Sequence, residues 1–349
     1  MQSGTTVPSS LRIPYPALCD LLAAALTKAG LSAACAATEA RIMAEADLLG
    51  VPSHGIRMLP PLLTAMAEGR VNPSAHWQIE RETLATSLLD CENGPGRASA
   101  CHAMDDAVSR ARHCGIGACL ARRTTHWGRA HAYAARAAQQ GMIGLCMTNA
   151  MPTMAAWGAT RRIIGNNPIA IGIPQANPDT PLVLDIAMSQ AAVGKVNTWK
   201  REERDVPPGW GLDAEGRPSQ DAAAILAGAV LPFGGHKGAG LALMVELLTA
   251  ALAGGAFGNE IVGSDRSGLD PDSCKLFIAI DPAAFGGRET LNARVESMLA
   301  YLATEAAPFV WPGQRGWAER DANLVAGVPV HLDIVRELAA AGVSLEAAG

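Results

Sequence analysis

A mixed α/β (α+β) fold, with helical ends around a strand-rich middle, is predicted by three features of the sequence. Leucines and other apolar residues recur at helical spacing through residues 16–67. Between residues 83 and 280, short apolar strands alternate with helical stretches, and helical periodicity returns from residue 289 to the tail. Ends of one kind and a middle of another suggest that the two termini pack together.

The elements follow in order. Residues 16–29 set Leu18, Leu21, Leu22 and Leu26 on one face, and Gly30 supplies the left-handed stop. Ser32 can cap a second helix that runs to Leu49 and closes at Gly50. A third helix spans 59–67, and a strand spans 83–90. Helices are expected at 98–113 and 130–140, each ended by a glycine, with strands at 117–121 and 142–148. Two more strands lie at 169–173 and 182–186, while the charged, Pro-, Gly- and Trp-rich stretch 200–218 reads as a surface loop. A long apolar helix at 239–253, a strand at 274–280 and helices at 289–302 and 332–341 complete the chain.

Composition narrows the class. Of 349 residues, 49% are hydrophobic and 17% charged, which is too little charge for a disordered chain. The net charge of −5 offers no basic footprint for nucleic acid. Eight cysteines contain no C-x-x-C pair, and several sit in apolar runs where a thiol acts as a small hydrophobe, so a reduced, cytoplasmic protein is expected. Residues 1–14 lack the basic-then-apolar pattern of a signal peptide. The most membrane-like stretch, 238–258, is interrupted by Glu246, so a buried helix is expected and no membrane partner.

Missing motifs are informative. There is no G-x-G-x-x-G after a strand, no G-x-x-x-x-G-K-[ST], no zinc-ligand spacing of histidines and no G-x-S-x-G elbow. A dinucleotide, if bound, must be held in another way, and no metal is expected.

Four constellations could carry chemistry. Ser53-His54-Gly55-Ile56-Arg57 places an imidazole, able to exchange protons near neutrality, beside a guanidinium that could fork onto a carboxylate. The plain alternative is a loop histidine satisfied by backbone. Thr124-Thr125-His126-Trp127-Gly128 lies between a strand and a helix, where α/β proteins place ligands; Trp127 either stacks on a flat ligand or packs inside. Asp185 ends an apolar strand and needs a partner, either a histidine imidazole or an arginine or helix N-terminus. Gly234-Gly235-His236-Lys237-Gly238 opens the long helix and combines glycines, a helix dipole and a lysine, as a phosphate site requires; a Gly-rich turn is the bland alternative.

Together, these motifs resemble the malate/L-lactate dehydrogenase family that lacks a Rossmann fold. The matching segments are Ser53-His54-Gly55, Thr125-His126-Trp127-Gly128, Thr148-Asn149, Gly165-Asn166-Asn167-Pro168, Asp185-Ile186-Ala187-Met188-Ser189 with Gly194-Lys195, and Gly235-His236-Lys237-Gly238. Leu231-Pro232-Phe233-Gly234 and Gly209-Trp210-Gly211-Leu212-Asp213 are most similar to its Δ1-piperideine-2-carboxylate/Δ1-pyrroline-2-carboxylate reductases. The resemblance implies an NADPH- or NADH-dependent oxidoreductase with a non-Rossmann fold, a small carboxylate substrate and a homodimer. It implies a helical part, 1–120 joined by 285–349, and an NAD(P)-binding part, 121–284.

By the same resemblance, His54 is the catalytic histidine, Asp185 its partner and His126 a second active-site histidine. Ser53, Arg57 and Asn149 would meet the substrate; Asn167, Ile186, Ala187, Met188, Ser189, His236, Lys237, Gly238 and Gly313 would meet the cofactor. Three positions depart from the family pattern. Met58 stands where an arginine is usual, with Arg57 one residue before it; Met188 replaces a threonine; Gln314 replaces a glutamate. The reaction expected is hydride transfer to C2 of a cyclic imine or a 2-oxo acid, with His54 giving the proton.

Overall fold

The computed structural model describes residues 10–261, 269, 271–306 and 308–345, so the reading of the N-terminus falls largely outside the described residues. In chain order the first elements are β1 (Ser10–Ile13), α1 (Tyr15–Lys28), α2 (Ala33–Leu48), α3 (Leu59–Ala67), β2 (Gln78–Glu82), β3 (Thr86–Asp90) and α4 (Gly96–Cys114). There follow β4 (Ile116–Thr124), α5 (His131–Gln139), β5 (Ile143–Thr148), β6 (Met154–Ala155), β7 (Arg162–Ile164), β8 (Ile169–Ile173) and β9 (Leu182–Ile186). Next come α6 (Val193–Arg201), β10 (Gly211–Leu212), β11 (Pro218–Ser219), α7 (Ala222–Ala227), β12 (Ala229–Val230) and α8 (His236–Glu246). The last are β13 (Ser273–Ile280), α9 (Arg288–Glu305), α10 (Gln314–Ala326), β14 (Val328–His331) and α11 (Leu332–Ala340). The mixed α/β class predicted from sequence is the class observed.

The chain forms two compact units, one of residues 1–74 with 315–349 and one of 75–314. The expected boundaries, near 120 and 285, lie elsewhere for a physical reason. β3 runs parallel to β4 and bonds to it over five residue pairs, which ties the segment before residue 120 to the middle of the chain.

In the first unit the termini do meet: β1 pairs antiparallel with β14. The leucine face of α1 is buried as expected, and Ser32 Oγ accepts the Cys35 N–H at 3.3 Å, capping α2. Asn323 of α10 is buried; it donates to Leu48 O at 3.1 Å and accepts from Arg12 at 3.2 Å. One side chain thus fastens three segments that are distant in sequence.

The second unit is built on a seven-stranded sheet in the order β2-β3-β4-β13-β5-β8-β9. Only β3 and β4 are parallel; the other pairs are antiparallel. Glycines let α5 lie close on this sheet: a Cβ at Gly172 would come within 2.3 Å of Ala134 O. A smaller sheet, β11-β10-β12-β6-β7, was not foreseen, because its strands are only two or three residues long. The stretch 200–218 is mostly loop as expected, although α6 extends to Arg201.

The expectation for the long apolar helix requires a correction. α8 ends at Glu246 and continues as a π-helical turn, Leu247–Ala251. Ala239, Ala242, Val245 and Ala250 are buried, but Leu241, Met244, Leu248 and Leu252 are exposed, Leu252 at 64%. The helix is apolar on more sides than one chain can cover. No described helix is long and apolar enough to cross a membrane.

Candidate active site

The first histidine loop lies in the first unit, between α2 and α3. Ser53 Oγ stands 2.9 Å from His54 Nδ1, and both residues are half-buried. Beneath the loop lies Asp47, a residue the sequence reading passed over. Its buried carboxylate accepts the Ile56 N–H at 2.6 Å. A Cβ at Gly55 would lie 1.9 Å from Asp47 Oδ2, so Gly55 is needed for close approach more than for a turn. The signal was available: an acid in the last turn of a helix opposes the helix dipole and needs a reason to be there. Arg57 is half-buried and makes no hydrogen bond or ion pair among the described residues.

The second histidine loop follows β4 in the second unit. Thr125 Oγ1 donates to Gly94 O at 2.8 Å, and a Cβ at Gly96 would lie 2.3 Å from Thr125 O, so the loop rests directly on the start of α4. The Gly128 N–H donates to His126 Nδ1 at 3.2 Å. A backbone N–H can only donate, so Nδ1 accepts and the neutral ring carries its proton on Nε2. Trp127 is buried, stacked on Tyr133 with 5.0 Å between ring centres and edge-on to Phe277 at 5.7 Å. The indole is therefore packing and not a ligand platform. Buried Lys275 props this corner, with Nζ 5.6 Å from the Trp127 ring centre and 2.8 Å from Ser273 Oγ.

Asp185 sits on the edge strand β9 of the same unit. Its Oδ2 accepts the His131 N–H at the start of α5 at 3.1 Å and lies 3.6 Å from Arg129 Nε. Of the partners weighed from sequence, these are the arginine and the helix N-terminus. Burial lifts the Asp185 carboxyl above the usual carboxylate range, against the opposing pull of Arg129 and the His131 N–H. The His131 imidazole is pushed well below the usual histidine range, first by burial and then by Arg129.

Asn149 and Asn167 are both buried and turn their amides to the protein itself. Asn149 Oδ1 accepts the Cys274 N–H at 2.7 Å, and its Nδ2 donates to Ala256 O at 2.9 Å and Glu246 Oε1 at 3.2 Å. Asn167 Oδ1 accepts the Ala150 N–H at 3.0 Å, while Nδ2 donates to Ala242 O at 2.9 Å and Glu246 Oε2 at 2.6 Å. The Gly258 N–H completes the set on Glu246 Oε1 at 2.9 Å. Glu246, noticed in the sequence only as an interruption, is the centre of a buried polar network that holds α8 to β5 and β8.

The residues expected at a cofactor divide. Met188 is buried in the hydrophobic core, and buried Ser189 spends its Oγ on Ala191 O at 2.8 Å. Gly238 allows close packing, since a Cβ there would lie 2.6 Å from Met188 O. Ile186 and Ala187 are only half-buried, and His236 and Lys237 are exposed at the start of α8. Most N–H groups of that turn are already used: Lys237 N bonds Gly234 O and Gly238 N bonds Phe233 O, at 3.3 and 2.9 Å. What the turn offers an anion is side-chain charge and the helix dipole. Gly313, at φ +95°, belongs to a turn whose Pro312 O accepts the Val183 N–H of β9 at 3.0 Å.

Residues 13–339 match the family described as malate/L-lactate dehydrogenase. The chain is 35% identical to the Δ1-pyrroline-2-carboxylate/Δ1-piperideine-2-carboxylate reductase of Pseudomonas syringae pv. tomato, over 94% of this chain and 96% of that protein. It is 37% identical to the NADP(+) (2R)-3-sulfolactate dehydrogenase of Chromohalobacter salexigens, over 80% and 84% of the two chains. Among solved structures, malate dehydrogenase from Pyrococcus horikoshii superposes with a TM-score of 0.86 at 30% identity, covering 98% of this chain and 97% of that one. The chain belongs to the malate/L-lactate dehydrogenase family and is an oxidoreductase.

Proposed function

We propose that this protein is an NAD(P)H-dependent reductase acting at C2 of a small 2-carboxylate substrate, with a cyclic imine such as Δ1-pyrroline-2-carboxylate as the preferred class. The observation that carries the chemistry is the His54 imidazole of the first unit, whose Nδ1 faces Ser53 Oγ at 2.9 Å; in the second unit the Gly128 N–H sets the tautomer of His126. The donor set at α8 fits a dinucleotide: His236 and Lys237 are exposed at the positive end of an 11-residue helix whose N-cap carries no side-chain bond. Lys237 and His236 would hold phosphate, with Ile186, Ala187 and Gly313 along the same unit's β9 edge.

When bound, NAD(P)H supplies the hydride that C2 accepts. His54 supplies the proton that a 2-oxo substrate needs on oxygen; an imine already protonated on nitrogen needs it less. Ser53 orients the His54 ring, and the seat that Asp47 gives Ile56 fixes the loop. The reading extends to a homodimer, supported by the apolar face of α8 that one chain leaves bare. It extends also to the reducing cytoplasm, where the eight free cysteines would stay thiols.

The test is a side-by-side measurement of rates on Δ1-pyrroline-2-carboxylate and pyruvate, each with NADPH and NADH. A higher kcat/KM on the imine is expected. A clear preference for pyruvate would move the protein to the 2-hydroxy acid dehydrogenases, and oxidation of neither cofactor with either substrate would remove the proposal.

A further inference from the structure

Of the seven tryptophans, Trp157 alone is exposed, at 68%. The segment that carries it is firmly held. Met154 and Ala155 are buried, and Ala156 packs against the hydrophobic core. In the small sheet β6 lies between β12 and β7, and the Val230 N–H donates to Thr153 O at 3.1 Å. A turn closed by the Ala159 N–H on Ala156 O at 2.9 Å then presents Trp157. The backbone is fixed and the indole is left outside, an arrangement that core packing does not explain.

What the ring lies against suggests what it is for. A Cβ at Gly235 would come within 2.4 Å of Trp157 Cζ3, and the His236 ring stands edge-on to the indole, 5.8 Å between centres. Trp157 therefore sits on the turn that opens α8, where His236 and Lys237 are exposed. The same turn lies just past the end of β9, since the Phe233 N–H donates to Met188 O at 3.0 Å. The bare apolar residues of α8 begin at Leu241, more than one helical turn beyond His236, so the indole belongs with the charged turn. A dinucleotide joins flat bases to anionic phosphates, and a π-face beside a cation suits that pair. We infer that Trp157 is a cofactor-binding residue that stacks on the adenine of NAD(P)H, while Lys237 and His236 take the adjoining phosphate. Adenine is the base assigned because hydride transfer needs a site closed to water, and an indole this exposed marks an open rim. This rests on the proposed place of the cofactor at α8.

The experiment measures binding by calorimetry on the full-length protein, with NADPH, NADH and two fragments. ADP-ribose carries the adenine half, and nicotinamide mononucleotide carries the other. Trp157→Ala should weaken ADP-ribose, and whichever dinucleotide the wild type binds, by roughly 5- to 150-fold, the loss of one base–aromatic stack. Trp157→Phe should keep most of the affinity, nicotinamide mononucleotide should bind as before, and Tm should stay near wild type. Indole fluorescence gives a second readout that needs no turnover: ADP-ribose should quench the wild type and leave Trp157→Phe unquenched.

Unchanged ADP-ribose affinity in Trp157→Ala overturns the inference, and so does a wild type that does not bind ADP-ribose. A loss confined to nicotinamide mononucleotide would place the ring at the reacting end and overturn it as well. So would a variant whose oligomeric state changes while its dinucleotide affinity does not, which would give Trp157 to a second copy of the chain. Wild type that stacks adenine on Trp157 yet reduces no 2-carboxylate would overturn the proposed substrate and leave this contact standing.

Discussion

The second unit holds two polar clusters made from family motifs, and they differ in how completely their bonds are closed. Around Glu246, Asn149 and Asn167, every amide proton and both carboxylate oxygens have protein partners within 3.2 Å. Around β9, the Arg129–Asp185 contact is long and one buried guanidinium nitrogen has no acceptor. The first cluster is fully paired within the protein; the second leaves one buried guanidinium nitrogen without an acceptor. Motif residues are thus of two kinds, and a sequence pattern alone does not separate those that hold the fold from those that meet a substrate.

The predictions test that division. The largest effect is expected from the histidine of the other unit: His54→Ala should lower turnover on a 2-oxo acid by roughly 100- to 10,000-fold with little change in Tm. Near-normal turnover would remove His54 from the reaction. Glu246→Ala should do the opposite, lowering stability by about 3 kcal/mol or more, because three buried donors lose an acceptor. Urea unfolding checks this, and Glu246→Gln, which keeps one acceptor, should cost less. A stable Glu246→Ala protein with altered KM would place that cluster on the functional side.

A smaller effect depends on pH. His131 is neutral when buried, whereas the unfolded chain binds a proton below its ordinary 6.5. The unfolded state therefore takes up more protons on acidification, and stability present above 6.5 is lost as pH falls. The slope is at most about 1.4 kcal/mol per pH unit. Unfolding curves at about pH 7.5 and about pH 5.5 should show this loss, and His131→Gln should flatten it. An unchanged slope in the variant would assign the pH dependence to other groups.

Much of the fold was legible in the sequence where periodicity is long and stops are strong. Gly30, Ser32 and Gly115 mark element ends, and the apolar runs of β8 and β9 were placed residue for residue. The small sheet escaped because a strand of two residues has no period to read. The site was legible as a set of positions but not as roles. The resemblance assigned Asn149 and Asn167 to ligands, yet their amides serve a buried carboxylate three turns into an apolar helix. Asp47 was missed because its importance lies in what it touches, the space beneath Gly55.

The central claim is hydride delivery to C2, and isotope transfer tests it most directly. Wild-type protein is given Δ1-pyrroline-2-carboxylate and NADPH carrying deuterium at the transferable C4 position, and the product is read by mass spectrometry and NMR. The account predicts one deuterium, located on C2 of the amino acid formed. A product whose C2 hydrogen comes from water, or cofactor oxidation that leaves C2 unreduced, would contradict it.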